Sequence, residues 1–196
     1  MAELVLRPMT APEIQHWYAQ ELTEAFAENE RKPLPDILAL AEAGRYRLLG
    51  LFDGPRMMGY ATLWVRKGIP LVLLDYLGVS AALRSGGLGS LILARLREQH
   101  APLVTESELP VAGDSQAANS LRLRRIAFYR RSGFVPVYEM ATCGMRWQAL
   151  AANADGCSTA EIAAWHRALY GPERTDVQIP LPPDQQPRPP YWMADR

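Results

Sequence analysis

The feature that most constrains this chain is an apolar run that stops at a glycine-rich turn. Leu71-Val72-Leu73-Leu74-Asp75-Tyr76-Leu77-Gly78-Val79 is followed, after a short loop, by Arg84-Ser85-Gly86-Gly87-Leu88-Gly89-Ser90. A strand-length apolar segment interrupted by one carboxylate reads as a buried strand. Leu91, Ile92 and Leu96 then mark the apolar side of a helix ending near His100. Glycines let the backbone approach a ligand closely, and the first turn of a helix leaves N–H groups unpaired. With the helix dipole those groups suit a phosphate or pyrophosphate, and Arg84 adds a cation at the mouth of the nest.

The flanking sequence places this turn in a mixed α/β domain. Glu3 to Arg7 alternates like a first strand, and Thr10-Ala11-Pro12-Glu13 follows the capping-box pattern of a helix running to about Ala27. A charged break from Glu28 to Pro33 and a short helix over 36–43 follow. Tyr46 to Phe52 and Met57 to Val65 are strands flanking the turn Asp53-Gly54-Pro55. Beyond the glycine turn come a strand from Leu103 to Glu106, a basic helix from Ser115 to Arg131, and strands at 134–138 and 142–147. The expected order is β-α-α-β-β-β-α-β-α-β-β, which is not a doubly wound layout. Ser158-Thr159-Ala160-Glu161 opens a last helix whose apolar face carries Ile162, Trp165 and Leu169. The prolines from Pro172 to Pro190 predict an extended tail that orders against the body or a second subunit.

Three ligand patterns compete for the glycine turn. A P-loop needs Gly-Lys-Ser/Thr at the helix start, and no lysine is there. A dinucleotide fingerprint needs glycine or alanine at Ile92 and a repeating βαβ layout. The third pattern, Arg-x-x-Gly-x-Gly, is met by Arg84, Gly87 and Gly89. Downstream, Phe128-Tyr129-Arg130-Arg131-Ser132-Gly133-Phe134 has the form Phe-Tyr-x-x-x-Gly-Phe. These two motifs, in this order, resemble the acyl-CoA loop and the second motif of the GNAT superfamily of N-acyltransferases, over roughly residues 4–147. The resemblance implies a mostly antiparallel central sheet flanked by helices and splayed between its fourth and fifth strands. It implies residues 1–150 as the acyltransferase domain, with the C-terminal helix (158–170) and tail of residues 151–196 packed on it or extending from it.

The activity implied is transfer of an acetyl group from acetyl-CoA, as co-substrate, to a primary amine by direct attack in a ternary complex. The cofactor-binding set is then Leu77, Gly78 and Val79 on the strand, with Arg84, Ser85, Gly86, Gly87, Leu88, Gly89 and Ser90 in the loop. Tyr129 would touch the cofactor and protonate the departing thiolate. An alkyl ammonium must lose its proton before attack, having an ordinary pKa near 10. Asp75 shares a strand face with Leu77, and Glu106 shares one with Glu108. Asp75 and Glu106 are therefore the candidate bases. Glu28, Glu30, Glu106 and Glu108 are candidate contacts for a cationic substrate, although Asp75 could equally be a structural carboxylate. One position departs from the family: the asparagine expected seven residues before the tyrosine is Arg122, and the nearest asparagine is Asn119.

Composition narrows the alternatives. The 196 residues carry 21 Lys+Arg against 21 Asp+Glu, with a pI near 6.8, so no basic surplus points to nucleic acid. No apolar run has the length of a membrane span and no secretory leader pattern opens the chain, so a cytoplasmic location is expected. Cys143, read as lying on a late strand, and Cys157 are expected as reduced thiols. The three histidines lack partners at ligand spacing, so no metal site is expected. The small-molecule amine reading stands beside two others: protein or peptide N-acetylation, and a non-catalytic acyl-CoA-binding regulator. Trp165, Tyr191 and Trp192 offer aromatic area for a homodimer contact or for packing on the chain's own core.

Overall fold

A computed structural model describes residues 4–84, 86–100, 102–190 and 192, with Asn29 by its backbone alone. Ser85 and Tyr191 lie outside the described residues. The chain divides into two compact units, one made of residues 1–67 and 74–99, the other of 68–73 and 100–196.

In the first unit β1 (Val5–Pro8), β2 (Tyr46–Asp53) and β3 (Arg56–Trp64) form an antiparallel meander, and β4 (Val72–Val79) lies beside β3. Gly54 takes a positive φ in the β2–β3 turn, as the Asp-Gly signal requires. The first helical region is not one helix. It begins as α1 (Ala11–His16), widens to a π-helix over Trp17–Leu22, and closes as α2 (Thr23–Ala25). The wide turn buries Trp17 and Leu22 completely, a packing reason for its departure from α geometry. At its start the Glu13 carboxylate accepts the Thr10 N–H at 2.7 Å and pairs with Arg7 at 2.8 Å. A 3₁₀ turn (Glu28–Glu30) leads to α3 (Leu34–Glu42), and α4 (Leu88–Gln99) buries Ile92, Leu93 and Leu96.

The second unit holds β5 (Leu103–Glu108), β7 (Met145–Ala152) and β6 (Val135–Thr142) in that spatial order, all antiparallel, with α5 (Gln116–Arg131) and α6 (Thr159–Tyr170). Among the described residues, seven mostly antiparallel strands with helices are the mixed α/β class expected. The last two strands differ from expectation. The segment over 142–147 is not one strand: Cys143 and Gly144 form the β6–β7 turn with φ of 56° and 78°, and β7 runs on to Ala152. The cause lies 33 residues downstream, where the buried Asp176 carboxylate accepts the Cys143 N–H and the Thr142 hydroxyl, each at 3.0 Å. Cys143 is thus a turn residue, not a strand residue. The proline-rich tail is ordered against this unit. Arg174, 3% exposed, pairs with Asp176 at 2.8 Å, Gln178 bridges Ala141, and the Leu181 N–H reaches the Glu139 carbonyl at 2.9 Å.

Candidate active site

In the first unit the site begins with β4 and the turn after it. Gly87 takes a φ of 78°, open only to glycine at low cost, and its carbonyl accepts the Leu91 N–H at 3.0 Å as α4 starts. The first-turn N–H groups, at Leu88, Gly89 and Ser90, have no partner within the helix ladder by construction. Arg84 is exposed at the entrance of this turn. Gly78 has a packing role that its motif did not reveal: a Cβ there would lie 2.2 Å from the Tyr60 ring. A Cβ on Gly59 would likewise lie 2.8 Å from the Gly78 carbonyl. The Tyr60 hydroxyl is buried against Gly78 without a hydrogen-bond partner among the described residues. Burial, followed by the Glu21 charge, raises its pKa, so it stays protonated.

Asp75 is enclosed. Lys32 Nζ sits 2.7 Å from its carboxylate, and the two side chains are only 5% and 8% exposed. The Tyr46 phenol donates to the same oxygen. That phenol in turn accepts from the Thr62 hydroxyl, which accepts the Tyr76 N–H, so a chain of donors converges on one carboxylate. Burial and then the Asp75 charge raise the Tyr46 pKa far above its ordinary value, which keeps it a donor. Lys32 also lies 4.6 Å from the Tyr76 ring centroid. Glu30 is fixed through its backbone, its carbonyl accepting the Tyr76 phenol at 2.6 Å, while its carboxylate caps its own turn at the Ala27 N–H. Glu28 is exposed in that turn.

In the second unit, alternation along β5 separates its side chains onto two faces. Thr105 and Ser107 share one face, and Tyr129 of α5 hydrogen-bonds Thr105 there. Burial raises the Tyr129 pKa, with Thr105 and Arg125 opposing the rise, so the phenol carries its proton at neutral pH. Phe128 and Phe134 flank its ring at 5.4 and 5.8 Å. Glu106 and Glu108 occupy the other face. Glu108 is taken by Arg122 at 2.7 Å, and the same guanidinium holds Asp114 at 2.7 Å and the Asn119 side chain at 2.9 Å. Arg122 therefore ties α5 to β5 and the loop between them, which explains an arginine where asparagine was expected. Asn119 itself is spent on the backbone of Val111, both bonds being 2.9 Å.

Glu106 has different company. The Tyr170 phenol of α6 lies 2.9 and 3.0 Å from its two oxygens, and His166 Nε2 lies 3.0 Å from Oε1. His166 is fully buried, with Nδ1 2.9 Å from the Tyr138 hydroxyl. Neither His166 nor Tyr170 stood out by sequence spacing, because Glu106 is some sixty residues away. The local signal was a histidine and a tyrosine four apart on an otherwise apolar helix face. Trp165, expected on that face, is only half-buried, and His166 takes the inward place.

The fold is that of the GNAT N-acyltransferases. A GNAT-family acetyltransferase structure from Bacteroides thetaiotaomicron matches with a TM-score of 0.65 at 23% identity, over 83% of this chain and 94% of that one. An aminoglycoside 6'-N-acetyltransferase complexed with coenzyme A matches at 0.55 and 11%, over 75% and 95%. The Escherichia coli ribosomal-protein alanine N-acetyltransferase matches at 0.51 and 18%, over 76% and 91%. No family model matches the sequence, and no curated protein does. Among the described residues no helix is long and apolar enough to cross a membrane, and no cluster of His, Cys, Asp and Glu is arranged to hold a metal.

Proposed function

We propose that this chain is an N-acetyltransferase that moves an acetyl group from acetyl-CoA to a primary amine of a small molecule. The observation that carries the reading is the glycine turn entering α4, with Gly87 in the left-handed region and first-turn N–H groups directed away from the ladder. That arrangement fits a pyrophosphate, with Arg84 as its cation and the Leu77 to Val79 backbone as the edge for the pantetheine arm. The neighbours above act on different acceptors, an aminoglycoside and a ribosomal protein. An amine and an acetyl group are what they share.

The chemistry assigns two protons. Glu106 takes one from the ammonium, the free amine forms the N–C bond at the thioester carbon, and the C–S bond breaks. Tyr129, kept protonated by burial, gives its proton to the leaving thiolate, and the second proton lost by the acylated nitrogen restores the Tyr129 phenol. Each such transfer contributes on the order of 10²-fold or more, and holding the amine against the carbonyl supplies much of the remainder. Asp75 is already neutralised by Lys32 and Glu108 by Arg122, so neither is assigned a proton transfer.

The test is CoA release followed with a thiol reagent, using acetyl-CoA and a panel of small amines, for wild type and Tyr129→Phe. Turnover with at least one amine, falling about 10²-fold in the variant while acetyl-CoA still binds, is the expected result. Acetyl-CoA binding without turnover across the panel would favour a regulatory binding protein. Absence of acetyl-CoA binding would sink the reading of the glycine turn.

A further inference from the structure

We infer that His166 and Tyr170 of α6 are positioning residues for the Glu106 carboxylate, making the C-terminal helix a working part of the site. This rests on the reading of Glu106 as the base given above. An ionised carboxylate only accepts, so Tyr170 must donate its one proton, shared between oxygens 2.9 and 3.0 Å away. A proton bridging both oxygens fixes the carboxylate in plane and leaves its remaining lone pairs for a substrate proton. His166 Nε2, 3.0 Å from Oε1, must likewise carry hydrogen, because a bare lone pair there would face another. The contact lies off the line of a well-formed hydrogen bond, so it acts mainly as a dipole pinning that oxygen.

With Nε2 protonated, a neutral imidazole has Nδ1 as its acceptor, and Tyr138 supplies the hydrogen at 2.9 Å. Burial and then the Glu106 charge raise the Tyr138 pKa, so this donor keeps its proton. The order Tyr138 to His166 to Glu106 therefore selects one tautomer. His166 is 0% exposed, a setting in which an unassigned polar ring would be costly. α6 has its own support, since the Ser158 hydroxyl accepts the Glu161 N–H at 3.2 Å and the Glu161 carboxylate accepts the Ser158 N–H at 2.9 Å. Ile162 and Leu169 anchor it in the core of the second unit.

The experiment combines kinetics with a direct view of the carboxylate. In Tyr170→Phe, which keeps the ring under Arg174, kcat should fall about tenfold or more with the KM for acetyl-CoA unchanged. His166→Gln, whose amide N–H can replace Nε2–H, should retain more activity than His166→Ala. The ¹³C carboxyl resonance of Glu106, assigned by its loss in Glu106→Gln, should move in Tyr170→Phe and His166→Gln. Wild-type kcat in both Tyr170→Phe and His166→Ala would overturn the inference while leaving acetyl transfer standing. So would a Glu106 resonance unmoved by either change, whatever the turnover. A wild type that binds acetyl-CoA yet acetylates no amine, with the resonance still responsive, counts against the transfer reading and supports the contact itself.

Discussion

Asp75 in the first unit and Glu106 in the second are a matched pair that the fold has treated in opposite ways. Each is a carboxylate in a strand with a phenol donating to it. Asp75 faces a permanent cation, Lys32, at 2.7 Å, and both groups are withdrawn from water. Glu106 faces the Tyr170 phenol and the His166 imidazole, neither of which is a permanent cation. A carboxylate locked to an ammonium is a structural element, since removing the cation strands an ion in low dielectric. A carboxylate that faces no permanent cation can take a proton without stranding one. Sequence spacing alone ranks these two equally as bases, and the difference lies wholly in residues distant along the chain.

Lys32 is the residue on which the confinement of Asp75 depends most. Lys32→Met should destabilise the protein by about 3–5 kcal/mol in urea unfolding, because it leaves Asp75 buried and unpaired. A loss under 1 kcal/mol would mean that Asp75 is less confined than its geometry implies. Next comes Glu106→Gln, for which kcat should fall about 10²- to 10³-fold with acetyl-CoA affinity preserved. Full activity in this variant, together with a large loss on neutralising Asp75 at constant stability, would exchange the two roles.

A smaller effect sharpens the contrast through Tyr46. Tyr46→Phe removes one donor from Asp75 and should cost about 1–3 kcal/mol of stability, leaving kcat unchanged in the folded fraction. Tyr170→Phe should show the converse pattern. The mildest case is a third carboxylate, Glu13, which lies at the surface. The Arg7 guanidinium, then the Thr10 N–H, lowers its pKa from about 4.5 to about 2. A folded-state value below the unfolded one means that its contribution is present above pH 4.5 and lost as pH falls toward 2. Glu13→Gln should flatten a thermal melting profile in that window, and high salt should do the same to wild type.

Much of the fold was legible because its signals are local. The Asp-Gly turn, the capping boxes at Thr10 and Ser158, the glycine turn and the alternation along the strands each depend on a few neighbouring residues. The π-helix over Trp17–Leu22 was not legible, since its residues carry no local pattern that separates it from an α-helix. The β6–β7 turn was missed because Asp176, not the Thr142-Cys143-Gly144 sequence alone, holds it there. The site followed the same division. Tyr129 and the glycine turn sit in compact motifs and were placed by them. Lys32, Arg122, His166 and Tyr170 lie from 14 to 64 residues from the carboxylates they hold, and they separate the carboxylate proposed as the base from those paired with a permanent cation. Gly78 was found for a ligand reason, and the structure adds a packing reason, the Tyr60 ring that fills the space above it.

The anchoring of the tail bears on how the protein is made. Synthesis runs from N- to C-terminus, so residues 139–146 leave the ribosome well before Arg174, Asp176 and Leu181, which secure them. Until then the β6–β7 hairpin lacks the carboxylate to which its Thr142 hydroxyl and Cys143 N–H donate. The second unit must therefore finish folding late, and a nascent chain halted near residue 170 would present an unfinished sheet to chaperones.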